Sequence, residues 1–166
     1  MPMSEHSQAA GVDWLTSLLA LQGLKATVTA ALVEDESGSS CWLTINDANL
    51  TAEQAQTLIG ERGSVLDSIQ YLANTTLNLG KPADEQLAFT IELAGYRAKR
   101  LEELKTIANE AAEQVMASQQ EFEIKGLSSA ERRQVHQFLK AHTGLSTFSR
   151  GKEPDRRLVV SLESNT

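Results

Sequence analysis

Hydrophobic and polar positions change period several times along the chain, and each change marks an element. Within 13–24, Trp14, Leu15, Leu18 and Leu19 share one face of a helix, with Gly23 near its end. From residue 26 the period shortens to two: Ala26, Val28, Ala30 and Leu32 alternate with Thr27, Thr29 and Ala31. After the turn-forming stretch 34–40, Cys41, Leu43 and Ile45 alternate with Trp42, Thr44 and Asn46, so the two runs predict a hairpin. Thr51-Ala-Glu-Gln is a capping-box signature that opens a helix carrying Ala55, Leu58 and Ile59. That helix stops at Gly60-Glu61-Arg62-Gly63. Ser64-Val-Leu-Asp then starts another, with Leu66, Ile69, Leu72, Ala73 and Leu77 at helical spacing. Leu87, Phe89, Ile91 and Leu93 alternate with Ala88, Thr90 and Glu92 as a third strand.

Beyond residue 94 the pattern starts afresh. Leu101, Leu104, Ala108, Ala111 and Val115 recur three and four apart along a long amphipathic helix over 96–118. Phe122 and Ile124 suggest a short strand, Ser128-Ser-Ala-Glu is a second capping box opening a helix over 130–141, and 157–162 alternates as a final strand. The first dozen residues and the last four lack any such pattern and are expected to be disordered. The fold class is therefore α+β. It has two units, 10–94 ordered α-β-β-α-α-β and 95–163 ordered α-β-α-β.

The 166 residues hold 15 Lys+Arg against 22 Asp+Glu, a net charge of −7, and 41% are hydrophobic, which suits packed domains rather than a disordered chain. Cys41 is the single cysteine, so no internal disulfide forms, and no Cys/His cluster supplies a structural zinc site. No cofactor is expected. The first basic residue is Lys25, so residues 1–8 lack the start of a secretory signal or transit peptide. The apolar run 14–24 is broken by polar residues and is shorter than the roughly 20 residues that cross a bilayer. A cytoplasmic protein without a membrane span is expected.

Charge is distributed unevenly. Residues 1–94 contain three bases, Lys25, Arg62 and Lys81, against 12 acids, whereas 95–166 contain 12 bases and 10 acids. Within 125–157 the net charge reaches +5, which allows a basic patch on an acidic protein.

Two constellations carry chemistry. Gly60, Glu61, Arg62 and Gly63 lie between predicted helices, where two glycines permit unusual backbone angles and close approach of a phosphodiester. The helix beginning at Ser64 would turn free amides toward an anion in that loop. The α-β-β-α-α-β frame with this tetrapeptide between its helices resembles a type II KH domain, whose loop clamps about four nucleotides of single-stranded RNA. The second constellation is a helical arc of Arg132, Arg133, His136 and Lys140, read as cationic and solvent-facing, with Val135, Phe138 and Leu139 turned away. A loop carrying Thr147, Phe148, Ser149, Arg150, Lys152 and Arg156 follows, with bases and hydroxyls suited to phosphate oxygens.

Four motifs occur in order: residues 58–72 around the glycine loop, Tyr96-Arg-Ala-Lys-Arg-Leu, Glu131-Arg132-Arg-Gln-Val-His136, and Thr147-x-Ser149-x-Gly151-x-x-Pro154-x-Arg156. Together they resemble the bacterial Jag family over roughly residues 10 to 162. The resemblance implies a KH domain over 10–94 and, over 95–163, a small α/β domain named for its Arg, three intervening residues and His. It implies single-stranded nucleic-acid binding, chiefly of RNA with single-stranded DNA as the alternative, and post-transcriptional regulation or RNA chaperoning in the cytoplasm. Many members carry an additional amino-terminal Jag domain, and this chain reads as a short form. The implied RNA-binding residues are Gly60, Glu61, Arg62, Gly63, Ser64, Arg132, Arg133, His136, Lys140, Ser149, Arg150, Lys152 and Arg156. Glu61 stands where such loops more often carry a base, which shifts the expected weight of binding to the second unit. A homodimer, or a heterodimer with a small KH-only protein, is a further implication.

Catalysis finds no support: His136 has no paired serine or cysteine nucleophile, and the glycine loop lacks the Lys-Ser/Thr ending of a P-loop. The rival reading is a protein-interaction adaptor working through the acidic first half.

Overall fold

The computed structural model describes residues 3–35 and 38–163. It is a mixed α+β structure, and the chain divides into two compact units, Met1–Arg97 and Ala98–Thr166. Unit 1 runs α1 (Met3–Leu21), β1 (Val28–Asp35), β2 (Gly38–Ile45), α2 (Ala52–Ile59), α3 (Ser64–Leu77) and β3 (Ala88–Leu93). Its sheet has the order β1-β2-β3. β1 pairs antiparallel to β2, with Val28 opposite Ile45, and β2 parallel to β3, with Cys41 opposite Phe89.

Alternation in β2 and β3 buries Cys41, Leu43, Ile45, Phe89, Ile91 and Leu93 in one core with Leu15 and Leu19 of α1, Leu58 of α2, and Leu66, Ile69 and Ala73 of α3. Each large aliphatic side chain so buried contributes about 1.5–3 kcal/mol. α1 begins ten residues earlier than the apolar pattern predicts. Its buried stripe is Ser7, Gly11, Leu15 and Leu19, and the first two are small rather than apolar, so hydropathy alone misses this half of the helix. Of the last four residues, expected to be disordered, 164–166 lie outside the described residues, as do 36–37 of the turn-forming stretch 34–40.

The outer edge of β3 is closed by side chains of α3. Asn74, reaching from the helix, accepts a hydrogen bond from Phe89 N at 2.9 Å and donates to Phe89 O at 2.7 Å. Asn78 does the same for Leu87 at 3.0 and 2.9 Å, and Gln70 accepts from Ile91 N at 3.0 Å. Arg97 Nε donates to Ile91 O, completing a ladder in which amides spaced four apart on a helix replace a fourth strand. Glu92, buried on the same strand, accepts from Leu93 N and Arg97 N, which places a carboxylate at the start of the next helix.

That helix is α4 (Tyr96–Ser118), followed in unit 2 by β4 (Phe122–Ile124), α5 (Ser129–Leu139), β5 (Leu145–Arg150) and β6 (Arg157–Leu162). The sheet order is β4-β6-β5, both pairings antiparallel. Leu104, Ala108, Ala111 and Val115 of α4 are buried with Val135 and Leu139 of α5 and Ile124, Leu145, Leu158 and Val160 of the sheet. The unit thus has one strand more than α-β-α-β. β5, read from sequence as loop, is an edge strand whose Ser-Thr-Phe-Ser-Arg run is half-buried or exposed beyond Leu145, so no apolar alternation announces it. Both capping boxes form, at Thr51 with Gln54 and at Ser128 with Glu131. Ser64, by contrast, is not a cap; Gly63 holds that position in a left-handed conformation.

Candidate functional site

In unit 1 the glycine loop forms a tight turn between α2 and α3. Gly60 has φ +74°, and a Cβ there would meet Val65 Cγ2 at 2.5 Å and Val65 N at 2.8 Å. Gly63 has φ +77°, and its Cβ would meet the Tyr96 ring at 2.5 Å. Both glycines are therefore required by the protein's own packing. Arg62 is left-handed as well, at φ 52°, and is exposed beside Glu61, their charged groups 4.0 Å apart. Gly63 N, at the N-cap, donates to Gly60 O and Ser64 N to Glu61 O, so these two amides are turned into the loop.

Unit 2 holds a cleft of about 370 Å³ between α5 and the β5–β6 sheet, lined by Ser129, Arg132, Arg133, His136, Thr147, Phe148, Ser149, Arg156 and Leu158. This lies within the roughly 300–1,000 Å³ of pockets that hold small ligands. α5 presents Ser129, Arg133 and His136 on successive turns. His136 Nδ1 and Thr147 Oγ1 share a hydrogen bond, tying α5 to β5. Arg133 and Arg156 are exposed and have no ion-pair partner among the described residues. Phe148 is 43% exposed, with the Arg150 guanidinium 5.3 Å from its ring centre.

Four residues, two of the predicted helical arc and two of the loop after it, are placed otherwise than the sequence suggests. Arg132 is 5% exposed, not solvent-facing: it donates to Leu127 O at 2.8 Å and to Arg156 O at 3.4 Å, and pairs with Glu153. A helical wheel cannot show the 151–156 segment folding back over it. Arg150 is held by Glu121 and Glu123, at 3.0 and 2.9 Å, and Arg157 shares Glu123 at 2.8 Å. These two arginines hold the Glu123 carboxyl below its ordinary range. Lys140 caps the far end of α5, and Lys152 is exposed on the segment after β5; neither lines the cleft. Arg133, His136, Ser149 and Arg156 are brought together as expected, along with the buried Arg132. Ser129 and Leu158 join them outside both predicted constellations. Ser129 was legible, since it precedes Arg132 by three and His136 by seven on the same helix.

A site with two unpaired guanidinium forks, three hydroxyls, an imidazole and an exposed aromatic ring has the groups that hold phosphate oxygens and stack on a flat ring. Residues 102–162 match the domain family named for its Arg, three intervening residues and His. That match contains the whole cleft, from α5 to β6. The chain is also 32% identical over 117 residues to the RNA-binding protein KhpB of Clostridium symbiosum, covering 70% of this chain and 52% of that protein. The corresponding protein of Bacillus subtilis is 31% identical over 115 residues, covering 68% of this chain and 54% of the relative. That of Streptococcus pneumoniae is 30% identical over 106 residues, covering 64% and 32%. The chain spans about half the length of the first two and about a third of the last. Among the described residues no His, Cys, Asp and Glu group could hold a metal, and no helix is long and apolar enough to cross a membrane.

Proposed function

We propose that this protein is a non-catalytic, cytoplasmic single-stranded RNA-binding protein that acts in post-transcriptional regulation or as an RNA chaperone. The observation that carries this is the cleft of unit 2, where Arg133 and Arg156, without an ion-pair partner among the described residues, stand beside Ser129, Thr147, Ser149 and the exposed Phe148. Phosphate oxygens would sit between the two guanidinium groups and the hydroxyls, and one base against Phe148. Unit 1, with its α-β-β-α-α-β order and tight glycine turn, is proposed to be a KH domain of secondary weight. Its loop carries Glu61 beside Arg62, and residues 1–94 contain 12 acids against three bases.

The test is fluorescence anisotropy on short single-stranded RNAs and DNAs. Arg133→Ala is expected to weaken RNA binding about tenfold, the loss of one charge-assisted contact. Unchanged affinity would remove the cleft from the interface. A second reading, an adaptor that binds protein through unit 1, is favoured by exposed Tyr71 and Leu72 on α3, at 71% and 49% exposure, in an acidic unit. A homodimer or a heterodimer with a small KH-only protein would use such a face. Absence of RNA binding at low salt would favour this adaptor.

A further inference from the structure

The arginine that opens the Arg-Arg-Gln-Val-His run is engaged inside the protein. Nη1 of Arg132 donates to Leu127 O at the entry to α5 and to Arg156 O, and Nη2 pairs with Glu153, while the side chain is 6% exposed. Arg132 lines the cleft, but both terminal nitrogens of its guanidinium are committed to these internal partners. Glu153 is 59% exposed and sits on the segment 151–156, which joins β5 to β6 and ends at Arg156. The only side chain of that segment that lines the cleft is Arg156. We infer that Arg132 is a positioning residue. Through Glu153 and the Arg156 carbonyl it fastens the segment to the start of α5 and so places the Arg156 side chain at the cleft, leaving the RNA contacts to Arg133 and Arg156. A planar fork suits this task because it reaches two carbonyls and a carboxylate at once, which a lysine ammonium on a flexible stem does not fix.

This rests on the RNA-binding reading, and it makes a counter-intuitive demand on an acidic residue. Removing a negative charge beside a polyanion site should tighten binding if electrostatics alone act. If Glu153 anchors the segment, Glu153→Gln should instead weaken RNA binding several-fold. In an Arg156→Ala background Glu153→Gln should then add nothing, because the residue it positions is gone. Hydrogen exchange of the amides in 151–156, excluding Pro154, should also rise in Glu153→Gln without RNA, while exchange along α5 stays as in the wild type.

Tighter or unchanged binding, additive losses with Arg156→Ala, or unchanged exchange in 151–156 would overturn the inference. If the uncompensated guanidinium lowers the unfolding midpoint, Arg132→Met with Glu153→Gln removes charge and partner together, and the same loss of affinity and protection is expected. The two readings fail differently. No RNA binding by the wild type ends the functional proposal, and the exchange measurement still decides the role of Arg132. RNA binding weakened by Arg156→Ala but not by Glu153→Gln ends only the positioning role.

Discussion

A Cβ on Gly63 would come within 2.5 Å of the Tyr96 ring at a φ of +77°, so the position combines a backbone angle that side chains disfavour with a space already filled. Gly63→Ala is expected to cost about 1–3 kcal/mol, read as a lower urea midpoint. An unchanged midpoint would mean that the turn relaxes freely. The sequence marks both glycines of this loop through the access they allow a ligand; the structure adds an internal reason that holds with no ligand present. Arg132 is the opposite case. Its type and its place on the helix were legible, yet its burial depends on Glu153, 21 residues away. No local pattern reports which of two neighbouring arginines a returning segment will cover.

Among the elements, α3 has a helix's ordinary apolar stripe and a second, polar one that replaces a strand. Gln70, Asn74 and Asn78 stand four apart and meet the backbone of Ile91, Phe89 and Leu87. Asn74→Leu leaves Phe89 N and O without their partner, and about 2–6 kcal/mol of stability should be lost in urea unfolding, at roughly 1–3 kcal/mol for each of the two abandoned groups. It should also raise self-association, since an open strand edge is a template for pairing. Loss of less than about 0.5 kcal/mol would show that water replaces the amide.

The strands of unit 2 carry a charge network instead. Glu123 on β4 is flanked by Arg157 and Arg150, which depress its folded pKa. The folded state therefore takes up its proton only at lower pH than the unfolded chain. The network's stabilisation is present above the ordinary carboxylate range and is lost as pH falls through the folded value. Glu123→Gln should thus lower stability near neutral pH and make it less dependent on pH on the acid side, as followed by thermal unfolding between about pH 3 and pH 7. Equal pH dependence in both proteins would assign the acid limb to other carboxylates.

Across the full chain, a net charge of −7 coexists with a cleft in which Arg133 and Arg156 have no ion-pair partner among the described residues. Long-range repulsion and short-range attraction then oppose each other for a polyanion, and salt screens both. With two guanidinium groups each neutralising one phosphate, log affinity for single-stranded RNA is expected to fall against log salt with a slope of about −1.4, at roughly −0.7 per contact. Arg133→Ala should bring the slope to about −0.7. A slope near zero in the wild type would place the binding energy in stacking on Phe148 rather than in phosphate contacts.

Read without its fold, the chain already specifies the α+β class, most elements, both capping boxes, and the location of cationic and hydroxyl residues between 129 and 156. These follow from hydrophobic period and local hydrogen bonding, which act over a few residues. Packing between distant segments settled the rest. It made a helix of the run 3–12, which has no apolar stripe, by placing the small residues Ser7 and Gly11 in the buried face. It made an edge strand of the polar run 145–150 by pairing it with β6, and it tied up Arg150 between Glu121 and Glu123. It also divided the paired arginines of α5 into one that is buried and one that is exposed. Charge and residue type are written in the chain, but burial and pairing are set by whichever segment packs against them.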